Sequence, residues 1–489
     1  MMSYYRIWMK LKFSRLSMST NVLIGMSILL FIYLKMELNT KSRVDSNINN
    51  LSSITHSTQS QFKESIQFTE LREFFGLSYD EYSDVELKGL LEDHLRFDEA
   101  VAKTGNLFAI EPVTFLKHLQ NPCWIGFLDE SSLDGGQHGD CSLPLIKKND
   151  KTVCETQLAI QKKLLSTWQS RIQQNKPWRL RCMPFFYIIG PPKCATTDLS
   201  WRLTRHPRIE DSGVKEYHYW SKARWDFNNT ESIGRTKLLK PYVDSFDQVA
   251  ERIRHFSTNQ GIHNVVAHDG TPHTIYHHHG PLGHSHLKLD VDYIQHIQKD
   301  KVKFITILRD PISRLYSDFF FWGNAGQLGP IKVKDHFHEL CEKAINLFKD
   351  CLKQSPLKYC VYHQANNGGL GKQNMFRITL GIYHVMIQDW WKKVGKDNLL
   401  ILKTELYSQD LQGSIDTILE FLALEKLNQF STDVNRNILE QANRNVQNKK
   451  TKKELREMHT KTKTMLEDFY KDYNQELKNM LGSTYDWGY

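Results

Sequence analysis

The chain has 489 residues, a formal charge of +9, 40% hydrophobic and 24% charged residues, amounts that are ordinary for a globular protein. That excludes a wholly polar, unfoldable chain and leaves room for one large domain plus extra segments. The basic excess favours anionic partners without choosing among nucleic acid, acidic polysaccharide and phosphate-bearing ligands.

In chain order, Arg6, Lys10, Lys12 and Arg15 precede an apolar run from Val22 to Leu34, with no acidic residue before it. This positive-inside polarity predicts a cytoplasmic tail over 1–15 and an uncleaved signal-anchor helix over 16–36, with a luminal C-terminus. A cleaved signal peptide is the alternative, and both place the rest of the chain in the secretory pathway. Residues 37–65, rich in Ser, Thr, Asn and Gln, read as a stem. Residues 66–180 carry helical patterns such as DVELKGLLEDHL and read as a stem-proximal helical region packed on the domain C-terminal to it. Asn50 and Asn228 head N-glycosylation sequons, and an oxidising lumen permits disulfides among the eight cysteines. Cys351 and Cys360, close together in a Pro-containing stretch, are the first choice for a bridge, while Cys194 is the candidate free thiol.

Three short unalternating apolar runs, Phe185–Gly190, Val302–Leu308 and Asn398–Lys403, predict buried parallel strands. Helical patterns follow the first two directly, so the expected fold class is α/β, a doubly wound parallel sheet with its chemistry at the strands' carboxyl ends. YIIGPPKCATTDLSWRL leaves the first strand through a turn bearing Lys193, Cys194, Ala195, Thr196 and Thr197, and such a turn suits either a structural role or an anion. It fails as a Walker A loop, because Lys193 comes third after Gly190 with no glycine before it. ILRDPISRLYSDF leaves the second strand with Arg309, then Asp310 as N-cap, Pro311 at the first helical position and Ser317 two turns along. Arginine's planar fork and a serine hydroxyl suit a phosphate. Two such turns imply a ligand with two separated anionic groups.

Taken with NPCW at 121–124, KEYHYW at 215–220 and LEDFYKDYNQEL at 466–477, these segments resemble the Golgi carbohydrate sulfotransferases that act on glycosaminoglycans. The resemblance implies a P-loop-like sulfotransferase domain over 181–489, with a central parallel sheet flanked by helices. It implies 3′-phosphoadenosine 5′-phosphosulfate as donor, a chondroitin or dermatan sulfate acceptor, no required metal and no nucleic acid. By motif, the Lys193–Thr197 turn matches the 5′-phosphosulfate site and Arg309 with Ser317 the 3′-phosphate site. Glu216 matches the general base, and Lys193 can stabilise the departing phosphate. Ala195 stands where the family often has glycine, and is expected in a helical-start geometry.

Lys215, His218, Lys222 and Arg224 surround Glu216 and are candidate acceptor contacts, with Tyr217, Tyr219 and Trp220 either stacking on sugar or packing inside. TPHTIYHHHGPLGHSHLKLDVD, with His273, His277, His278, His279, His284 and His286, matches no familiar zinc spacing. It reads as a luminal loop that gains charge below about pH 6.5. Asp290 and Asp292 form a DxD, the manganese element of a Golgi glycosyltransferase, or else open a helix. That transferase and a non-catalytic polysaccharide-binding relative are the two rival readings. The lysine-rich stretch from Lys452 to Leu481 reads as an amphipathic docking helix.

Overall fold

The computed structural model describes residues 68–128, 151–210, 212–221, 238–279, 288–299, 301–322, 330–367, 369–370, 375–440 and 458–489. The expected anchor, stem and sequons at Asn50 and Asn228, together with Lys222, Arg224, His284 and His286, lie outside them. Among the described residues no helix is long and apolar enough to cross a membrane. The chain divides into residues 1–71, of which only 68–71 are described, and a unit of residues 72–489 that holds the sheet and its covering helices.

The described residues of that unit form nine strands: β1 (Cys123–Phe127), β2 (Trp178–Cys182), β3 (Phe186–Gly190), β4 (Ile209–Glu210), β5 (Val266–Asp269), β6 (His278–His279), β7 (Lys288–Leu289), β8 (Lys303–Leu308) and β9 (Leu399–Lys403). Five of them form a parallel sheet in the order β4-β5-β3-β8-β9. From central β3 the chain runs out to one side and then to the other, so β3 and β8 are neighbours at the switch point where open α/β sheets bind ligands. Ile188, Ile305, Ile307 and Val266 are buried on these strands and share a core with Leu199, Leu203, Ile415, Ile418 and Leu419. Both faces are covered, which is why β3 and β8 read as continuous apolar runs.

The helices that matter are α1 (Asp84–Lys103), α2 (Thr196–Leu203), α3 (Asp290–Gln298), α4 (Pro311–Phe321), α5 (Tyr383–Val394) and α6 (Thr460–Leu481). Ser83 and Glu86 form a capping box at the start of α1. This helix meets β1 through the buried His94, whose Nδ1 accepts from the Ile125 N–H at 3.0 Å. The NPCW segment is a clamp: Asn121 donates to Met183 O at 2.9 Å and accepts from Ala267 N at 2.9 Å, while a disulfide joins Cys123 to Cys182 across the antiparallel β1–β2 pair. A second disulfide joins Cys351 to Cys360. Helix α6 docks through Thr462, Leu466, Tyr470, Asn474 and Leu477, a single stripe at helical spacing.

Candidate functional site

Every loop of interest leaves the carboxyl end of a strand in the parallel sheet. The β3–α2 turn starts at Gly190, whose φ is +113° and where an added Cβ would stand 2.1 Å from Pro272 O, so only glycine fits. Lys193 (φ 71°) and Ala195 (φ 63°) are both left-handed. Ala195 is the N-cap of α2 in that conformation, not the helical-start geometry expected for it. The chain needs the left-handed turn to swing from strand to helix, and alanine accepts the strain that glycine would avoid. Intrahelical bonding begins with the Leu199 N–H on Ala195 O at 3.0 Å, so helix geometry leaves the amides of the first turn facing the loop.

The side chains of this turn divide by direction. Cys194 is fully buried in the core with its thiol pushed up to about 12 by burial, so what it can offer an anion is its backbone N–H. Asp198 also faces inward, 2.8 Å from Arg202 Nε and accepting from Tyr407 OH at 2.8 Å. Lys193 remains half-buried with its ammonium 4.0 Å from the centre of the Phe321 ring, a cation–π contact. Burial, with Arg309 and Arg377 nearby, lowers its pKa despite the opposing pull of Asp318.

Arg309 immediately follows β8 and donates to Lys193 O at 3.2 Å, so the two turns expected to hold two anions are directly joined. Its own carbonyl accepts from Tyr383 OH at 2.8 Å, which pins the strand end to α5. Asp310 caps α4, accepting from Ser313 N at 2.9 Å, and its backbone N–H donates to Glu405 Oε1 at 2.9 Å. Ser317 is half-buried on α4, one turn beyond Ser313 on the same face. Beneath this helix lies a buried group that the sequence does not announce. Arg377 holds both oxygens of Asp318 at 2.6 and 3.0 Å and donates to Tyr276 OH at 2.9 Å, while Arg314 donates to Arg377 O at 2.7 Å. Burial opposes ionisation of Asp318, but the two guanidiniums outweigh it and lower its pKa.

Glu216 lies on the loop after β4, stitched to the loop after β5. Gly270 N donates to Lys215 O at 3.0 Å and His218 N donates to Thr271 Oγ1 at 3.2 Å. Thr271 in turn donates both N–H and hydroxyl to Asp269, at 3.0 and 2.6 Å, and Tyr242 OH donates to the other oxygen at 2.9 Å. Glu216 Oε1 is 2.6 Å from Lys215 Nζ, and Oε2 is 3.3 Å from His218 Nε2. Burial alone would raise the Glu216 pKa, but His218 and Lys215 more than offset it and bring it down to about 2. The carboxylate is therefore ionised and presents oxygen lone pairs.

The structure decides two alternatives that the sequence left open and changes one expectation. Tyr217, Tyr219 and Trp220 are buried, with Tyr219 stacked 4.7 Å from Tyr242, so they pack inside and offer no platform to a sugar. His273, His277 and His278 are also buried, and burial pushes His278 down to about 4, so His278 does not gain charge near neutrality. Asp290 is fully buried 3.0 Å from His277 Nδ1, and Asp292 accepts from Leu289 N at 2.7 Å as part of a capping arrangement on α3 and pairs with Lys393. The DxD is thus a helix start, its carboxylates already engaged. Sequence reasoning missed the strand and turn of the loop after β5, with Asp269 and Thr271, although VVAHDGTPH carries a strand followed by a turn signal, and it saw His273 only as one of a run of histidines.

The family model described as "Sulfotransferase domain" matches residues 186–486. Carbohydrate sulfotransferase 15 of Homo sapiens is 27% identical over 400 residues, which cover 77% of this chain and 66% of that protein. The same-named protein of Mus musculus is 28% identical over 397 residues, again covering 77% and 66%. The chain thus spans just under two thirds of the length of these relatives. A crystal structure of a sulfotransferase from Alicyclobacillus acidocaldarius is 14% identical, with a TM-score of 0.39, covering 61% of this chain and 96% of that one.

Proposed function

This chain belongs to the sulfotransferase domain family, and from that membership we propose that it transfers a sulfuryl group from 3′-phosphoadenosine 5′-phosphosulfate to a glycosaminoglycan hydroxyl. The acceptor we assign is the 6-O position of N-acetylgalactosamine 4-sulfate in chondroitin or dermatan sulfate. The observation that carries the reading is the Arg309–Lys193 hydrogen bond, which sets two anion-suited strand-to-helix turns side by side at the switch point. The name of the relatives supports a carbohydrate acceptor. Lys215 and His218, with Lys222 and Arg224 nearby in sequence, suit a sulfated or carboxylated chain.

In this reading the first-turn amides of α2, with Thr196, Thr197 and Lys193, hold the 5′-phosphosulfate, and Arg309 with Ser317 holds the 3′-phosphate. Glu216 accepts the proton of the acceptor hydroxyl as its oxygen attacks sulfur. The bond from sulfur to the bridging phosphate oxygen breaks in line, and Lys193 stabilises the charge left on that phosphate. A metal is not needed for this chemistry, since the lysine and the amides supply the positive field. The engaged carboxylates of Asp290 and Asp292 disfavour the glycosyltransferase alternative. The basic, acid-free N-terminus supports a Golgi membrane location with type II topology and a luminal, N-glycosylated catalytic domain.

Two substitutions test the division of labour. Glu216→Gln is expected to lower kcat by about 10²–10⁴-fold with donor affinity unchanged, whereas Arg309→Ala weakens donor binding first. Near-normal kcat in Glu216→Gln would move the base elsewhere. Normal polysaccharide binding with no turnover in the wild type would favour the non-catalytic relative.

A further inference from the structure

Glu216, His218 and His273 each offer one ligand atom within 4.8 Å of the other two, and no other trio of His, Cys, Asp or Glu does so among the described residues. One carboxylate and two imidazoles make a donor set suited to zinc. With bonds of about 2.0–2.1 Å, two ligands on a tetrahedral zinc stand roughly 3.3 Å apart. Glu216 Oε2 and His218 Nε2 are 3.3 Å apart. The carboxylate divides its work, because Oε1 pairs with Lys215 at 2.6 Å and Oε2 is the oxygen that faces the imidazole.

The backbone holds this group in place. His218 sits at φ 53°, a strained left-handed conformation fixed by its N–H bond to Thr271, two residues before His273. The rings of His218 and His273 meet at 69° with centroids 4.6 Å apart, edge to face. His273 is buried at 9% exposure, and sulfuryl transfer as proposed gives it no part.

We propose that Glu216, His218 and His273 form an inhibitory site for a borderline divalent transition ion such as Zn²⁺, with three protein ligands and an open fourth position. The ion occupies the lone pair of Glu216 that would take the proton of the acceptor hydroxyl. Turnover stops while donor binding at Arg309 and Lys193 is untouched. The inhibitory part rests on the reading of Glu216 as the base.

The test uses the full, untagged chain stripped with a chelator, titrated with Co²⁺ and assayed separately in Zn²⁺. The wild type is expected to show a visible d–d band saturating at one Co²⁺ per chain, and loss of turnover in Zn²⁺ that a chelator reverses. His273→Ala and the better-filling His273→Gln are expected to keep metal-free turnover, lose the band, and raise the half-inhibiting Zn²⁺ concentration by about 100-fold. Losing a ligand should cost at least as much as the 10–100-fold typical of an outer partner. Half-inhibition unchanged in both variants would place the ion elsewhere and overturn the proposal. A wild type with no band would do the same. If Glu216→Gln retains turnover, the assignment of the base fails, while the Co²⁺ band and its loss in His273→Gln still decide whether the site exists.

Discussion

Ala195 holds φ at 63°, where an L side chain costs about 1 kcal/mol or more relative to glycine. Ala195→Gly is therefore expected to raise stability by roughly 0.5–1 kcal/mol in denaturant unfolding, and Ala195→Val to lower it. A destabilised glycine variant would mean that the loop does not carry this strain when folded in solution. The sequence exposed the departure from glycine at this position but not its conformation, because φ is set by where α2 must point. Lys193 and Arg309 stood out in the sequence as charged residues in turns after apolar runs, while Glu216 was named only through the resemblance of KEYHYW. Asp269 and Thr271 were not legible, nor was the pairing of His273 with His218, since their meaning comes from the loop after β4 that packs on them. Burial settled the aromatic residues of KEYHYW, whose stacking and core readings look alike in sequence.

Among elements, β3, β8 and β9 were legible within a residue or so, β3 and β8 because strands covered on both faces are uninterrupted apolar runs, and the partly buried edge strand β9 because it keeps such a run. By contrast, β2 is WRLRC, and its arginines suggest a surface until the structure buries both. Arg181 lies 3.0 Å from Asp98, and Arg179 lies 3.0 Å from Asp247. Two-residue β4 is too short to give a periodic signal. The clamp of Asn121 on Met183 and Ala267 links this pair to the parallel sheet through two buried hydrogen bonds. Asn121→Ala leaves both backbone groups without that partner and is expected to cost about 2–4 kcal/mol in urea unfolding. A cost below about 0.5 kcal/mol would mean that β1 and β2 are not anchored through this side chain.

For the whole molecule, buried ionisable groups tie stability to pH. Burial raises the Asp269 carboxyl from 3.8 to about 6, against the opposing bonds from Thr271 and Tyr242. The folded state thus binds a proton more tightly than the unfolded state, and stability falls as pH rises from about 4 through 6. Between pH 7 and pH 5 this group should return about 1 kcal/mol to the folded state, a gain that Asp269→Asn lacks in paired melting experiments. An identical pH response in the two proteins would remove Asp269 as the source.

If one chain joins a phosphosulfate donor to a sulfated polysaccharide, labelled sulfate must pass directly from the first to the second, in a step that needs Glu216 to take the acceptor's proton. The direct measurement incubates the wild type and Glu216→Gln with sulfur-labelled 3′-phosphoadenosine 5′-phosphosulfate and a panel of glycosaminoglycans, followed by disaccharide analysis. Label is expected in 6-O-sulfated N-acetylgalactosamine 4-sulfate units of chondroitin or dermatan from the wild type alone. No label from this donor while a parallel incubation incorporates sugar from a labelled UDP-sugar with manganese, or equal transfer by Glu216→Gln, would contradict this assignment.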